Sequence, residues 1–199
     1  MFDTIKCDGE VSVEPDAKWV NDGIDLENSM RLLGPLFKFY VLECPVAGLS
    51  SKRKSLESYG WTQPWKNPQY LNRKLKDESS NPNLYWSAKR YGDMESQLNA
   101  SGLGFSGLDM DKLREVAVFY DSKKNQTLSL FAHLRNSIAH GRFTVIKVKR
   151  EFWFVFEDVK TSQGKGGKSG PSRLTARIVL KNSTLLKWTK LIKAGPKNG

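Results

Sequence analysis

The period of the hydrophobic pattern changes at Gly141, and this change limits the possible folds more than any other feature of the sequence. Before Gly141, apolar residues recur at helical spacing. After it, "FTVIKVKR" alternates and "EFWFVFEDV" is dense in aromatic and β-branched residues, which is typical of a hairpin. A third strand, "LTARIVL", and an amphipathic helix, "STLLKWTKLIKA", are predicted to follow.

The first part of the chain is therefore predicted to be helical. The last of its helices ends at Gly141, whose missing Cβ suits a left-handed cap. The predicted helices cover residues 25–44 with a kink at Gly34-Pro35, a short segment at 69–77 within a long loop, 83–100, a segment around 110–120 capped by Asp109, and 126–140. We expect one mainly α domain, with a helical bundle over 20–141 and a basic β-hairpin or small antiparallel sheet plus terminal helix over 142–199.

Composition excludes several classes of protein. The chain of 199 residues is long enough for a substantial core without covalent staples. Cys7 and Cys44 are too few for a disulfide framework or a zinc site, so we expect a reducing, cytoplasmic setting and no metal or cofactor. No apolar run approaches the roughly 20 residues of a membrane span, and the N-terminus lacks a signal-peptide pattern.

Positive charge is concentrated near the C-terminus. The net charge is +11, and residues 147–199 hold 13 of the 32 basic residues but three of the 21 acidic ones. Such a patch favours a polyanion, either nucleic acid or an anionic membrane surface, although a solvated tail is the simpler alternative. The candidate binding residues are Lys147, Lys149, Arg150, Lys165, Lys168, Arg173, Lys187 and Lys190.

The stretch "LSLFAHLRNSIAHGRF" places Arg135 among the apolar residues of its helix. A buried guanidinium must meet a carboxylate, a backbone carbonyl or an anionic ligand, because it cannot lose its proton. His133, Asn136 and His140 line the neighbouring polar flank, and both histidines of the chain lie in this helix.

The segment "LRNSIAHGRF" resembles the signature of the HEPN superfamily, in which an arginine, usually followed by a polar residue, precedes a histidine with four to six residues between them. Arg135, Asn136 and His140 match it, and the resemblance covers roughly residues 20–145. It implies a metal-independent endoribonuclease that acts as a homodimer. The basic β segment lies outside the minimal bundle and is similar to the elaboration of stand-alone bacterial members. The leading hypothesis is a toxin or phage-defence effector, with an antitoxin or defence protein as a partner.

The matching residues suit this chemistry. An imidazole can exchange a proton at neutral pH, as 2′-OH attack on the adjacent phosphate requires, and an arginine can bind the phosphorane. The products would carry a 2′,3′-cyclic phosphate and a 5′-OH. On one ideal helix, however, Arg135 and His140 point about 140° apart. We therefore expect unwinding at His140-Gly141, or a site shared by two helices across a dimer axis.

Other interpretations stay open from the sequence. The chain could be a non-catalytic HEPN dimer that binds nucleic acid or a protein, with Arg135 in a buried ion pair, or a membrane binder that uses its terminal helix. Gly102, Gly104 and Gly107 are predicted to form an inter-helix turn rather than a dinucleotide site. The aromatic residues of the 59–70 loop, which lie near lysines and arginines, could stack on bases, but packing is favoured: Tyr59, Trp61, Trp65 and Tyr70.

Overall fold

A computed structural model describes residues 5–6, 12–13, 26–62, 68–81, 84–104, 113–123, 125–163 and 169–196. The strands are β1 (Ile5–Lys6), β2 (Ser12–Val13), β3 (Tyr85–Ala88), β4 (Val116–Tyr120), β5 (Phe143–Val148), β6 (Glu151–Gln163) and β7 (Ser169–Lys181). The α-helices are α1 (Leu26–Leu36), α2 (Pro68–Asp77), α3 (Tyr91–Ala100), α4 (Gln126–Ala139) and α5 (Asn182–Ala194). A π-helix, Phe37–Leu42, continues α1, and a 3-10 turn spans Glu57–Tyr59.

A five-stranded mixed sheet forms the centre of the described fold. Its order is β3-β4-β7-β6-β5, with β3 parallel to β4 and the other neighbours antiparallel. In this register Phe143 lies opposite Phe156, and Phe119 lies opposite Ala176. The distal parts of β6 and β7 therefore extend beyond the end of β4 and the beginning of β5. We call this end of the sheet, formed by residues 157–163 of β6 and 169–175 of β7, the hairpin end; the turn between β5 and β6 lies at the opposite end.

The expectation of a mainly α protein is wrong, because the described fold combines helices with this large mixed sheet. The predicted helix over 83–100 is correct only in its second part, α3, because its first part is β3. The segment 110–120, also predicted as a helix, contains β4; residues 109–112 lie outside the described residues. The strand "VAVFY" is buried on both faces, so it lacks the alternation that identifies a half-exposed strand. One sheet thus draws strands from both sides of residue 141.

Elsewhere the local predictions are confirmed. Helix α1 passes into the π-helix just after Pro35, and α2 lies at the predicted short segment. Gly141 has φ of 66°, in the left-handed region. The predicted hairpin is formed by β5 and β6, the predicted third strand is β7, and the predicted terminal helix is α5.

Helices cover both faces of the sheet. On one face, which we call the α4 face, α4, α5 and the π-helix pack on residues such as Phe119 and Phe154. On the other, the α3 face, Met94 and Leu98 pack on Val118 and Val155. Among the described residues, no helix is long and apolar enough to cross a membrane.

The aromatic residues near the 3-10 turn pack onto the core, as the sequence favours. Trp61 is 1% exposed and its indole N–H donates to the Ile192 carbonyl at 3.0 Å. The Tyr59 hydroxyl donates to the Glu43 carbonyl at 2.6 Å, and Tyr70 lies against Trp61. Trp65 lies outside the described residues.

Candidate functional site

Helix α4 carries the three residues of the HEPN-like motif. It begins at Asn125, whose side chain accepts a hydrogen bond from Leu128 N at 3.1 Å. It ends in a Schellman motif: Arg142 N donates to the Ser137 carbonyl and Gly141 N to the Ile138 carbonyl. This helix end leaves His140 as the exposed C-cap residue, at the hairpin end of the sheet.

His133 is buried and bridges two strands. Its Nδ1 lies 2.6 Å from Asp158 Oδ2 on β6, and its Nε2 lies 2.8 Å from the Tyr120 carbonyl oxygen on β4. A carbonyl oxygen can only accept, so Nε2 carries a hydrogen. Both ring nitrogens of His133 are thus engaged within the fold, and 3% of its surface is exposed.

Asn136 connects this buried pair to Arg135. The Asn136 amide nitrogen donates to Asp158 Oδ2 at 3.3 Å, and its oxygen accepts from Arg135 Nη1 at 3.2 Å. The side chains of His133, Asp158, Asn136 and Arg135 thus form one hydrogen-bonded chain, which we call the polar relay. It runs from the buried α4 face to the half-buried last turns of the helix.

No carboxylate neutralises Arg135 among the described residues. Its one side-chain hydrogen bond there is to the neutral Asn136, and its Nε is buried without a partner. Burial raises the pKa of the Cys44 thiol to about 11 although Arg135 acts in the opposite direction, so this neighbour stays uncharged at neutral pH. The ion-pair interpretation of Arg135 therefore has no support in the described part of the chain.

The structure joins Arg135 and Asn136 directly but does not join either to His140. Within the described part of the chain, the His140 side chain makes no hydrogen bond to them. His140 follows the last helical residue, with φ of −98° and ψ of 6°. Within the described chain, the imidazole and the guanidinium are therefore not brought into one site.

The predicted RNA-binding residues do not form one patch. Lys147, Lys149 and Arg150 lie at the turn between β5 and β6, at the far end of the sheet from His140. Arg173 lies opposite Lys160 at the hairpin end, which the register places about 26 Å away. Two others, Lys187 and Lys190, are exposed on α5, and Lys165 and Lys168 lie outside the described residues.

Sequence reasoning missed Asp158, the centre of the polar relay. Asp158 lies 25 residues from His133 along the chain, and no spacing rule connects a helix residue to a residue of a later strand. One weak signal exists: two adjacent acidic residues, Glu157 and Asp158, directly follow the apolar run "FWFVF". Buried carboxylates need partners, so these acids pointed to buried polar contacts without identifying them.

Comparison with known protein families assigns the chain to the HEPN class, in agreement with the resemblance at Arg135 and His140. The matching family is HEPN pEK499 p136, over residues 68–192, and the chain belongs to this family. The match runs from α2 into α5, so it includes β6 and β7, which the resemblance over 20–145 left outside. HEPN domains commonly dimerise and bind RNA, and membership indicates a role related to nucleic acid or defence. No curated protein and no solved structure matches the chain.

Proposed function

We propose that this protein is a metal-independent endoribonuclease whose site is formed by Arg135, Asn136 and His140. The observation that carries the proposal is the uncompensated guanidinium of Arg135, held by Asn136 one helical turn before the exposed His140. A half-buried cation without a counter-ion is suited to an anionic ligand. A phosphate of RNA is the anion that HEPN membership favours.

In the proposed reaction the ribose 2′-oxygen attacks the adjacent phosphorus while the bond to the 5′-oxygen breaks. An imidazole accepts the 2′ proton, and an acid returns a proton to the departing 5′-oxygen, which leaves a 2′,3′-cyclic phosphate and a 5′-OH. Arg135 stabilises the additional negative charge of the phosphorane. Asn136 orients that guanidinium through the bond between Nη1 and Oδ1.

A symmetric homodimer would supply a second imidazole. The exposed end of α4 consists of Ala139 and the C-cap residue His140, because most other side chains of the helix are buried within the chain. Contact between two such ends places two copies of His140 in one cleft, one as base and one as acid. When wild-type chains are mixed with His140→Ala chains, heterodimers should have much less than half of the wild-type dimer activity. Cleavage by a monomer at working concentration would exclude the shared site.

Incubation of the pure protein with RNA in excess EDTA tests the activity. We expect cleavage products with 5′-OH ends that polynucleotide kinase labels directly, and loss of cleavage in a folded His140→Ala protein. Arg31→Ala, a change at an exposed residue of α1, is the matched purification control and should retain wild-type cleavage. Cleavage by His140→Ala equal to that of the control would refute the proposal. RNA binding without cleavage by the wild type would instead favour the non-catalytic HEPN dimer.

Cleavage of cellular RNA would be consistent with a toxin or a phage-defence effector. Expression of the wild type should then arrest growth of a bacterial host, while His140→Ala should not. A protein partner that suppresses this arrest would be the antitoxin. Equal growth with both proteins, at equal expression, would argue against this biological role even if the isolated protein cleaves RNA.

A further inference from the structure

We infer that the pocket beside Tyr120, at the hairpin end of the sheet, binds a base of single-stranded RNA next to the nucleotides held at the motif. The inference rests on the proposed function, since it names the form of RNA and the surface that positions it. It uses Lys89 and Lys160, neither of which is among the basic residues that the sequence predicts to bind RNA.

The pocket lies close to the polar relay. Tyr120 is the last residue of β4, and its carbonyl oxygen accepts the hydrogen bond from His133 Nε2. The other ring nitrogen of His133 contacts Asp158, which holds Asn136. Strand β4 is three strand spacings from β5, so the end of β4 lies about 15 Å across the sheet from the turn that carries His140. The Tyr120 ring packs on the α3 face, so an RNA strand that occupies both sites would pass around the end of β4 and needs several nucleotides to do so.

The shape and lining of the pocket suit a base. Its volume is about 480 Å³, within the range of small-ligand sites, and Lys89, Tyr120, Asp121 and Ser122 line it. The Tyr120 ring is stacked on Tyr91, with centroids 4.3 Å apart and planes 8° apart. A base placed against the other side of Tyr120 would continue this stack, and base–aromatic stacking is a main source of affinity for single strands.

The charges of the pocket distinguish the base from the phosphate. Asp121 lines the pocket, and two hydrogen bonds hold its carboxylate in place: Oδ1 accepts from Ser129 Oγ at 2.6 Å and from Asn125 N at 3.0 Å. A carboxylate repels a phosphate but accepts from the amino group of a base. The exposed ammonium groups of Lys89 and Lys160 are then the phosphate contacts on either side. Duplex RNA keeps its bases stacked inside, so this arrangement selects single strands.

Binding measured on the His140→Ala protein tests the inference without cleavage. The probe is a labelled single-stranded RNA of about ten nucleotides, with the matching duplex as competitor. We expect Lys89→Ala/Lys160→Ala to weaken binding about tenfold, and Lys147→Ala/Arg150→Ala, which removes the same charge at the far end, by less than about threefold. Equal losses from the two pairs, or equal affinity for the duplex, would overturn the inference.

Substitution of Tyr120 separates stacking from charge. Tyr120→Leu should weaken single-strand binding about tenfold, and Tyr120→Phe should retain wild-type affinity because the ring remains. Thermal unfolding of both variants checks that the fold is kept; unchanged affinity in a folded Tyr120→Leu protein would refute the base site. Cleavage by the wild type is scored separately, so loss of the proposed activity with these binding effects intact, or the reverse, identifies which proposal fails.

Discussion

Glu157 and Asp158 are neighbours on β6, but they face opposite sides of the sheet and bind different partners. On the α3 face, Glu157 Oε2 accepts from Arg177 Nε at 3.1 Å, and both side chains are at most 2% exposed. Arg177 also donates to the carbonyl oxygens of Leu103 and Gly104. On the α4 face, Asp158 contacts His133 and Asn136 instead.

The comparison separates a structural arginine from a candidate ligand-binding one. Arg177 has a carboxylate and two carbonyl groups, so its charge is compensated inside the fold. Asp158 Oδ2 is occupied by His133 and Asn136, and Arg135 is left with a neutral amide. Burial raises the pKa of Glu157, although the Arg177 guanidinium opposes this rise. The buried ion pair of Glu157 and Arg177, which we call the sealed pair, belongs to the folded core. The uncompensated guanidinium of Arg135 lies near solvent and is available to a substrate.

The largest effect on stability is expected from breaking the sealed pair. Arg177→Met should lower the free energy of unfolding by about 3–5 kcal/mol, because it leaves the Glu157 carboxylate buried without its cation. Urea denaturation measures the loss, and Arg31→Met at an exposed site is the control. The double variant Glu157→Gln/Arg177→Met should recover part of the stability. A single variant as stable as the control would show that the pair is not a structural unit.

Removal of the uncompensated Arg135 should have the opposite effect: the cleavage rate should fall strongly and the free energy of unfolding should change little. Arg135→Met should reduce the cleavage rate about 100- to 1,000-fold, because one set of charged donors to the phosphorane is lost. Its unfolding free energy should change by less than about 1 kcal/mol, since no carboxylate is left unpaired. Denaturation and cleavage assays on the same preparation measure both quantities. A loss of stability as large as that of Arg177→Met would contradict the comparison.

Substitutions of the two histidines should also differ, with His133→Ala affecting mainly the free energy of unfolding and His140→Ala mainly cleavage. His133→Ala should lower the unfolding free energy by about 1–3 kcal/mol, because the Asp158 carboxylate and the Tyr120 carbonyl lose a buried partner. The folded fraction should still cleave RNA, with less activity lost than in His140→Ala. Cleavage is compared at low temperature, where both variants are folded. A His133→Ala protein that is folded but as inactive as His140→Ala would give His133 a direct part in the reaction.

The smallest effect is expected at Glu43, a more exposed carboxylate than Glu157. Hydrogen bonding to Lys193 at 2.6 Å, supported by Lys52, lowers the pKa of Glu43. A lowered folded-state pKa gives stability that is present above the unfolded pKa and lost as the pH falls through the folded one. Glu43→Gln should therefore cost less than about 1 kcal/mol at neutral pH, and this cost should disappear as the pH falls below the lowered folded-state pKa of Glu43. A constant cost across this range would contradict the assignment.

Local patterns predicted those elements that carry a clear signal of their own. Strand β5 alternates, β6 is dense in aromatic and β-branched residues, α4 has its apolar stripe and a glycine at its end, and the motif residues Arg135 and His140 are visible in the sequence. Strand β4 was missed because it is only five residues long, shows no alternation, and has apolar neighbours at Met110 and Leu113 that continue a helical spacing. The polar relay was missed because it is made by tertiary contacts: Asp158 and the Tyr120 carbonyl reach His133 from two strands of the sheet.

The Schellman motif at the end of α4 also divides the helix into parts of different local stability. Opening at Asn136 breaks its side-chain bond to Asp158 as well as the backbone hydrogen bonds, whereas opening at His140 and Gly141 breaks backbone bonds alone. Segments held by fewer bonds open at lower free-energy cost, and their amide hydrogens exchange faster with solvent. The end of the helix at His140 can consequently open and close many times while the protein stays folded, and each opening moves the His140 imidazole. The guanidinium of Arg135 meanwhile stays attached to the sheet through Asn136 and Asp158.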